Sequence, residues 1–265
     1  MVAPLWPWLS RLWKRAATSP AADVLGADGR APVVYLRSFA VDPTRASAGG
    51  SVEDAVVERM WLHGPVVAAA RPVRGGRLGE PREEVMDGQR VLVWRRGRVV
   101  LWRTAPLAPL GAARAWLTSA DWQRMVLWWL EQAQLVVVVL GSTDGLAWEL
   151  HNLARLGLQD RLVIVVPPSW SHLSGVLAAQ WQGLHQVLTV PGGPALPPSI
   201  DTTSTLAVVP GAGEPPTMIV SRSRRREDYE AAVELAAATI HTRREPLEEP
   251  GAQGVVSPGS PATSA

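Results

Sequence analysis

Leu135 to Gly145 reads LVVVVLGSTDG, and this stretch decides the fold class. Its first six residues are all apolar, without the alternation of a half-exposed strand, which is typical of a parallel strand buried on both faces. Two runs share this character, VVYL at 33–36 and LVIVV at 162–166, and PVVAAA at 65–70 is a fourth candidate after a helix-ending His-Gly pair. These four runs predict the strands of a parallel sheet.

Helical spacing separates the runs. The most complete apolar stripe consists of Trp122, Met125, Val126, Trp129, Leu130 and Ala133. Shorter stripes predict helices over 52–60 and 146–154. Strands that alternate with helices imply right-handed βαβ crossovers, with helices on both faces of the sheet. The predicted fold class is therefore α/β, with a doubly wound parallel sheet of flavodoxin-like order.

Residues 74–105 interrupt this alternation. VLVW at 91–94 and VVLW at 99–102 flank the sequence RRGR, whose glycine suits a tight turn. The pattern predicts a β-hairpin, which we interpret as an insertion into the α/β framework.

After the strand at 162–166 the sequence pattern indicates secondary structure less clearly. Helical spacing favours helices over 171–182 and 229–241, whereas proline and glycine throughout 191–216 predict mostly loop. An arginine-rich run at 222–226 precedes the last predicted helix. We interpret it as a solvated approach to that helix rather than as a track for phosphates.

Composition divides the chain into three parts. Residues 1–30 are predicted to be a leader and residues 31–242 the α/β domain. Residues 243–265 are rich in Pro, Gly, Ser and Ala, which predicts a disordered tail.

The leader carries an unusual group of tryptophans. Trp6, Trp8 and Trp13 stand beside basic residues, so they could contact a membrane surface, although we favour a leader whose tryptophans pack on the domain. We expect a cytoplasmic protein, with peripheral contact at the membrane as the open alternative.

Composition also excludes several kinds of functional site. The 265 residues include no cysteine, which excludes thiolate nucleophiles, Fe–S clusters and Cys-bound zinc. The 26 basic and 24 acidic residues leave a net charge of only +2, so nucleic acid is not an expected partner. The sequence has neither a dinucleotide-binding glycine motif nor a Walker loop, and its five histidines never stand at metal-ligand spacing. We therefore expect no metal and no bound cofactor.

Polar residues follow two of the predicted strands. Arg37, Ser38, Phe39 and Asp42 come after the first strand, and Ser142 comes after the valine-rich strand. Ligands of open parallel sheets bind outside the carboxyl ends of the strands. If these two strands are neighbours, as in flavodoxin-like order, their loops share one crevice.

Glu149 is the candidate acidic residue on the helix that follows. On a helical wheel it lies about 75° from the centre of the apolar stripe, on its flank. It also stands within about two turns of the helix start, where backbone N–H groups favour an ionised carboxylate. This pattern is compatible with a surface glutamate that complements the helix dipole and with a catalytic carboxylate.

Several short motifs, taken together and in order, resemble a known family. They are VVYLRSF at 33–39, GPVVA at 64–68, LGAAR at 110–114, DWQ at 121–123, LVVVVLG at 135–141 and GLAWEL at 145–150. Over residues 32–168 the chain resembles a bacterial Toll/interleukin-1 receptor (TIR)-like domain, of the kind with a YLRSF first strand. The resemblance implies a five-stranded parallel sheet in flavodoxin-like order and self-association into homo-oligomers.

The resemblance also implies an activity. Catalytic members of the family cleave the nicotinamide–ribose bond of NAD, which is their substrate. They use one glutamate on the helix after the third strand, and Glu149 matches that position. Its carboxylate would stabilise the oxocarbenium-like charge as nicotinamide leaves. The substrate-binding set implied beside it is Arg37, Ser38, Phe39, Asp42, Ser142 and Trp148, although Trp148 could instead anchor its helix in the core.

Two functions therefore stay open. One is NAD cleavage by assembled chains in bacterial defence or signalling. The other is a non-catalytic TIR-like interaction module, in which Trp94, Trp102 and the hairpin supply a contact surface. A Glu149 carboxylate that points into a crevice beside Arg37 and Ser38 would favour the enzyme. A carboxylate paired outward at the surface would favour the module.

Overall fold

A computed structural model describes residues 21–37, 52–70, 82–86, 89–96, 99–101, 112–116, 122–168, 174–189, 193–211 and 213–244. The strands in these ranges are β1 (Val33–Arg37), β2 (Val66–Ala70), β3 (Arg82–Met86), β4 (Gln89–Arg96), β5 (Val99–Leu101), β6 (Ala113–Trp116), β7 (Leu135–Val139), β8 (Leu162–Val165), β9 (Thr205–Val209) and β10 (Thr217–Val220). The helices are α1 (Ala21–Ala27), α2 (Val52–Met60), α3 (Trp122–Gln132), α4 (Asp144–Arg155), α5 (Ser174–Leu188) and α6 (Arg226–Arg244), with a 3₁₀ helix at Leu158–Arg161. No described helix is both long and apolar enough to cross a membrane.

Seven strands form one sheet in the order β10-β9-β8-β7-β1-β2-β6. Every neighbouring pair from β6 to β8 is parallel, and Val33 to Arg37 of β1 pair in register with Leu135 to Val139 of β7. The central order β2-β1-β7-β8-β9 is that of a flavodoxin-like fold, which confirms the predicted fold class. Since β1 and β7 are neighbours, their carboxyl ends adjoin.

The far end of the sheet differs from the prediction. Residues 191–216 were expected to be mostly loop, yet they contain β9, a buried TLAVV strand that runs antiparallel to β8 and to β10. A turn at Asp201 leads the chain into β9. Hydrogen bonds from Ser204 and Thr203 hold this carboxylate in place and lower the pKa of Asp201 to about 2. Proline and glycine on either side hid the strand in the sequence pattern.

Side chains alternate across the sheet, which therefore has a separate apolar core on each face. On one face Val34 and Leu36 of β1 pack with α1, α3, α4 and α5. On the other face Val33 and Tyr35 pack with α2 and α6. The helices thus cover both faces, as the doubly wound interpretation requires.

The ends of the described fold can be compared with the predicted divisions of the chain. Ala21 and Val24 of α1, within the predicted leader 1–30, are buried in the first core. The last helix ends at Arg244, beyond the predicted domain end at 242. The leader tryptophans Trp6, Trp8 and Trp13 and the tail after 244 lie outside the described residues, so their predicted roles stay predictions.

The predicted hairpin is present. Strands β4 and β5 pair antiparallel, with Trp94 opposite Leu101, and β3 pairs with β4 as a third strand. Trp102 and the turn at 97–98 lie outside the described residues. The interpretation of 74–105 as an insertion stays a prediction.

Part of the arginine-rich run before α6 is a structural anchor rather than a solvated approach. Arg224 donates hydrogen bonds to the carbonyl oxygens of Thr202, Val166 and Thr205 at 2.6, 3.0 and 2.8 Å. Tyr229 on α6 donates to the same Val166 carbonyl at 3.0 Å. These bonds fasten the start of α6 to the carboxyl end of β8. The expectation that the run is solvated was wrong for Arg224, because carbonyls at strand ends require donors.

Candidate active site

The candidate site lies at the carboxyl ends of β1 and β7, where α4 begins. Thr143 caps α4, and its hydroxyl accepts a hydrogen bond from the backbone N–H of Leu146 at 3.3 Å. This cap satisfies one of the donors that a helix leaves unpaired at its start. The strand and the cap together fix the direction in which α4 leaves the sheet, and α4 then packs against β1.

Glu149 is buried in α4, with only 4% of its surface exposed. Within the part of the chain that the structure describes, no hydrogen bond or ion pair reaches its carboxyl group. Burial alone raises the pKa of Glu149 to about 8. The expectation that the helix start favours its ionised form was wrong, because loss of hydration outweighs the helix dipole.

Trp148, the residue before Glu149, is in contact with α3. Its ring packs edge-on against Trp122 of α3, with ring centroids 4.8 Å apart. On the helix surface Glu149 comes between Trp148 and the buried Leu146. Glu149 is therefore buried and does not lie on the solvent face of α4.

Trp148 acts as a helix anchor in this arrangement. It is partly buried and packs on the first apolar core together with Trp122. Of the two roles open to it in the sequence, packing is the one that these contacts support. A role in binding a substrate ring stays a prediction.

Arg37 lies on the opposite face of the sheet from Glu149. Its Nη1 atom is 2.8 Å from Oε2 of Glu53 on α2, and both side chains are largely buried. The alternation along β1 explains this placement, since Arg37 follows Val33 and Tyr35 onto the α2 face. The expectation that Arg37 and Glu149 share one crevice is therefore not met in this structure.

Ser142 lines a cleft between α4 and α5. The cleft has a volume of about 540 Å³ and an apolar floor that includes Leu150 and Leu184. Its polar end holds Ser142, Asp144 and Gln180, and the Gln180 amide nitrogen donates to the Ser142 hydroxyl at 3.3 Å. Glu149 is not among the residues that line this cleft.

The predicted site residues are thus distributed around α4 rather than gathered. Glu149 is buried within α4, Ser142 precedes the start of α4, and Arg37 lies across the sheet. Ser38, Phe39 and Asp42 lie outside the described residues, so their predicted roles stay predictions. Among the described residues, no group of three or more acidic or histidine side chains could hold a metal ion.

Sequence reasoning missed two residues that matter here. Glu53, the partner of Arg37, is an acidic residue in the first turn of α2, where acids are common for reasons of the helix dipole alone. Gln180 is, among the described lining residues of α5, the one polar side chain at the cleft, and alanine and tryptophan stand beside it in sequence. Only the packing of α5 on α4 distinguishes it from an ordinary surface glutamine.

Comparison with known proteins found no family model, no curated protein and no solved structure that matches this chain.

Proposed function

We propose that this chain is a TIR-like domain that cleaves the nicotinamide–ribose bond of NAD, with Glu149 as the catalytic carboxylate. The observation that carries the proposal is a buried carboxyl group without a partner at the carboxyl end of a parallel sheet. Perturbed acids in such places are candidates for functional groups. The family resemblance assigns the same residue.

The cost in folding free energy of a buried Glu149 supports a functional role for this residue. A glutamate with a pKa of about 8 instead of 4.5 costs on the order of 3 kcal/mol of folding free energy at pH 7. A glutamine or leucine at this position would avoid that cost. Residues that reduce stability in this way are characteristic of functional sites.

The chemistry requires the ionised form of Glu149. The bond between ribose C1′ and the nicotinamide nitrogen breaks, its electron pair leaves with nicotinamide, and water adds to C1′ with loss of a proton. A carboxylate beside C1′ stabilises the oxocarbenium-like charge that develops. The positive charge of the bound nicotinamide ring favours ionisation of Glu149, which is protonated at pH 7 in the free chain.

The substrate has to reach the carboxyl group of Glu149 during the reaction. Glu149 is buried in the single chain, and the family resemblance implies self-association. In our proposal assembly of several chains exposes the carboxyl group, so activity depends on protein concentration.

The test is release of nicotinamide from NAD by the full chain at high protein concentration. Glu149→Gln keeps the shape of the side chain and should abolish release. Glu131→Gln, on an exposed position of α3, is the matched control and should keep the wild-type rate. Absence of release by the wild type, or equal release by Glu149→Gln, would refute the proposal.

A second candidate function is a non-catalytic module that self-associates. The observation that favours it is the ion pair of Arg37 with Glu53, which holds the arginine away from Glu149. Trp128 of α3 and Leu62 after α2 also expose large apolar side chains. Sedimentation that reveals concentration-dependent assembly without any NAD cleavage would support the module over the enzyme.

A further inference from the structure

The strand β10 leaves one edge of the large sheet open. It pairs antiparallel with β9, and it has no second strand neighbour among the described residues. Backbone N–H and C=O groups that point away from β9 are therefore available to another strand. The irregularity in the pairing lies on β9, where Leu206 is the extra residue, so β10 itself is a regular strand.

The side chains of β10 do not protect this edge. Met218 and Val220 expose 49% and 61% of their surface. They lie on the sheet face opposite to Ile219, which packs on the core beside α6. Natural edge strands commonly carry a charge that prevents pairing with another chain, and the four residues of β10, TMIV, include none. A partner strand would cover these apolar side chains and pair with the backbone at the same time.

Charged residues at the two ends of β10 indicate which strand fits. Glu214 stands four residues before Met218, Arg222 stands four residues after it, and both are exposed. Arg222 has no ion pair or hydrogen bond within the part of the chain that the structure describes. Glu214 pairs with Arg243 of α6 at 3.2 Å, but 63% of its side chain stays exposed. An antiparallel copy of β10 centred on Met218 brings Glu214 of each chain to the end where Arg222 of the other lies.

We infer that β10 pairs antiparallel with β10 of a second copy of this chain, about a two-fold axis at Met218. In this register Met218 faces Met218 of the other chain, and Val220 faces Pro216. The apolar side chains that a single chain exposes are thus covered by apolar side chains. Because both chains use the same surface, the contact is closed and the assembly stops at a dimer.

The dimer should be weak. Each chain contributes one short strand, so the contact is smaller than the standard interface of about 1,600 Å². We therefore expect a dissociation constant between about 1 µM and about 1 mM.

This inference goes beyond the proposed function and does not depend on it. The strand order places β10 at the edge of the sheet, four positions away from β1. Glu149→Gln should dimerise like the wild type, and release of nicotinamide is no part of the measurement. Failure of one proposal is therefore distinguishable from failure of the other.

The first experiment tests the register with introduced thiols, since the chain has no cysteine of its own. Met218→Cys places two thiols opposite each other in the dimer. The Cα atoms of facing residues in antiparallel strands are about 4.5–5.5 Å apart, which a disulfide can bridge. Val220→Cys is the matched control, because it is exposed on the same face of the same strand. Its two thiols would be offset by four residue positions, about 13 Å along the strands.

We expect oxidation to convert Met218→Cys into a covalent dimer at least about tenfold faster than Val220→Cys, because only the first pair of thiols is held together. Equal rates for the two variants, or no covalent dimer in either, would overturn the inference.

The second experiment tests the charges by sedimentation equilibrium of the full chain between about 1 µM and about 1 mM. Glu214→Arg and Arg222→Glu each place like charges at both ends of the paired strands. Each should weaken the dimer by about tenfold. The double variant Glu214→Arg/Arg222→Glu should return to within about threefold of the wild type, although it does not restore the ion pair with Arg243.

A wild-type chain that stays monomeric throughout this range would overturn the inference and leave the edge to a different segment or partner. A double variant as weak as the single variants would overturn it as well.

Discussion

Arg37 at the end of β1 and Glu53 at the start of α2 form a largely buried ion pair, with 2.8 Å between Nη1 and Oε2. The pair fixes the end of the central strand to the start of the helix on the face opposite Glu149. Arg37 therefore has a structural partner in Glu53, and the substrate role that the resemblance implies for it stays a prediction.

Substitution of Arg37 should reduce stability. Arg37→Ala leaves Glu53 largely buried without this partner, which we expect to lower the free energy of unfolding by roughly 2–4 kcal/mol in urea denaturation. The exchange Arg37→Glu with Glu53→Arg should recover part of the loss. A loss below about 0.5 kcal/mol for Arg37→Ala, the range of ordinary surface changes, would contradict the structural role.

Glu149 should make stability fall as pH rises. Its pKa is raised in the folded state, so the folded chain holds a proton that the unfolded chain releases above pH 4.5. The contribution of Glu149 to stability is therefore complete below pH 4.5 and is lost progressively up to about pH 8. We expect Glu149→Gln to be more stable than the wild type by on the order of 3 kcal/mol at pH 7. Identical unfolding curves from pH 5 to 8 would show that the carboxyl group ionises freely.

The histidines His63 and His241 should make stability fall on the acid side. His63 Nδ1 lies 3.1 Å from His241 Nε2, and the pair joins the ends of α2 and α6. Burial, together with His241 and Arg30, lowers the pKa of His63, and Glu234 opposes this effect only in part. Because its pKa is lowered, His63 resists protonation in the folded chain more than in the unfolded chain. The contribution of His63 to stability is therefore present above the unfolded pKa of 6.5 and is lost as pH falls below it.

His63→Gln should flatten this acid-side loss in unfolding experiments between pH 7 and pH 5. His151→Gln is the control, since His151 is exposed on α4, and it should keep the wild-type pH profile. If His63→Gln kept the wild-type dependence of stability on pH, the histidine pair would not be the cause of the loss at acid pH.

The contact between Trp148 and Trp122 should contribute to the stability of the fold rather than to substrate affinity. Trp148→Ala removes a partly buried ring and an edge-on aromatic contact, so we expect a loss of roughly 1–3 kcal/mol in the free energy of unfolding. Trp128→Ala, at an exposed position of the neighbouring helix, should cost less than about 0.5 kcal/mol. A large rise in KM for NAD in Trp148→Phe, with unchanged stability, would instead assign the ring to the substrate.

The sequence predicted four of the five parallel strands, β1, β2, β7 and β8, because they carry their signal locally, whereas β6 was not predicted. LVVVV and LVIVV are apolar on both faces, and the periodic stripes mark α2, α3 and α4 directly. Strand β9 was missed because prolines and glycines surround it, and its pairing depends on a turn at Asp201 that periodicity does not detect. Helix α1 was missed because Ala21 and Val24 give only a short stripe.

The site was harder to predict than the fold. The helical wheel placed Glu149 on a flank, but it could not tell whether that flank is buried in the folded chain, and burial decides the pKa of Glu149. For Arg37 the alternation along β1 was available and places the side chain on the α2 face. The shared crevice was expected because the carboxyl ends of neighbouring parallel strands adjoin, and that rule does not say on which face of the sheet a side chain lies.

The most direct test of the central claim is the pH dependence of kcat/KM for nicotinamide release from pH 6 to pH 10. Since the ionised Glu149 is the active form and burial holds its pKa at about 8, kcat/KM should rise with pH and level off above that value. Glu149→Gln should reduce the rate by about 10²-fold or more at every pH. A flat profile, or a Glu149→Gln variant with the same rising profile, would contradict the claim that Glu149 cleaves NAD.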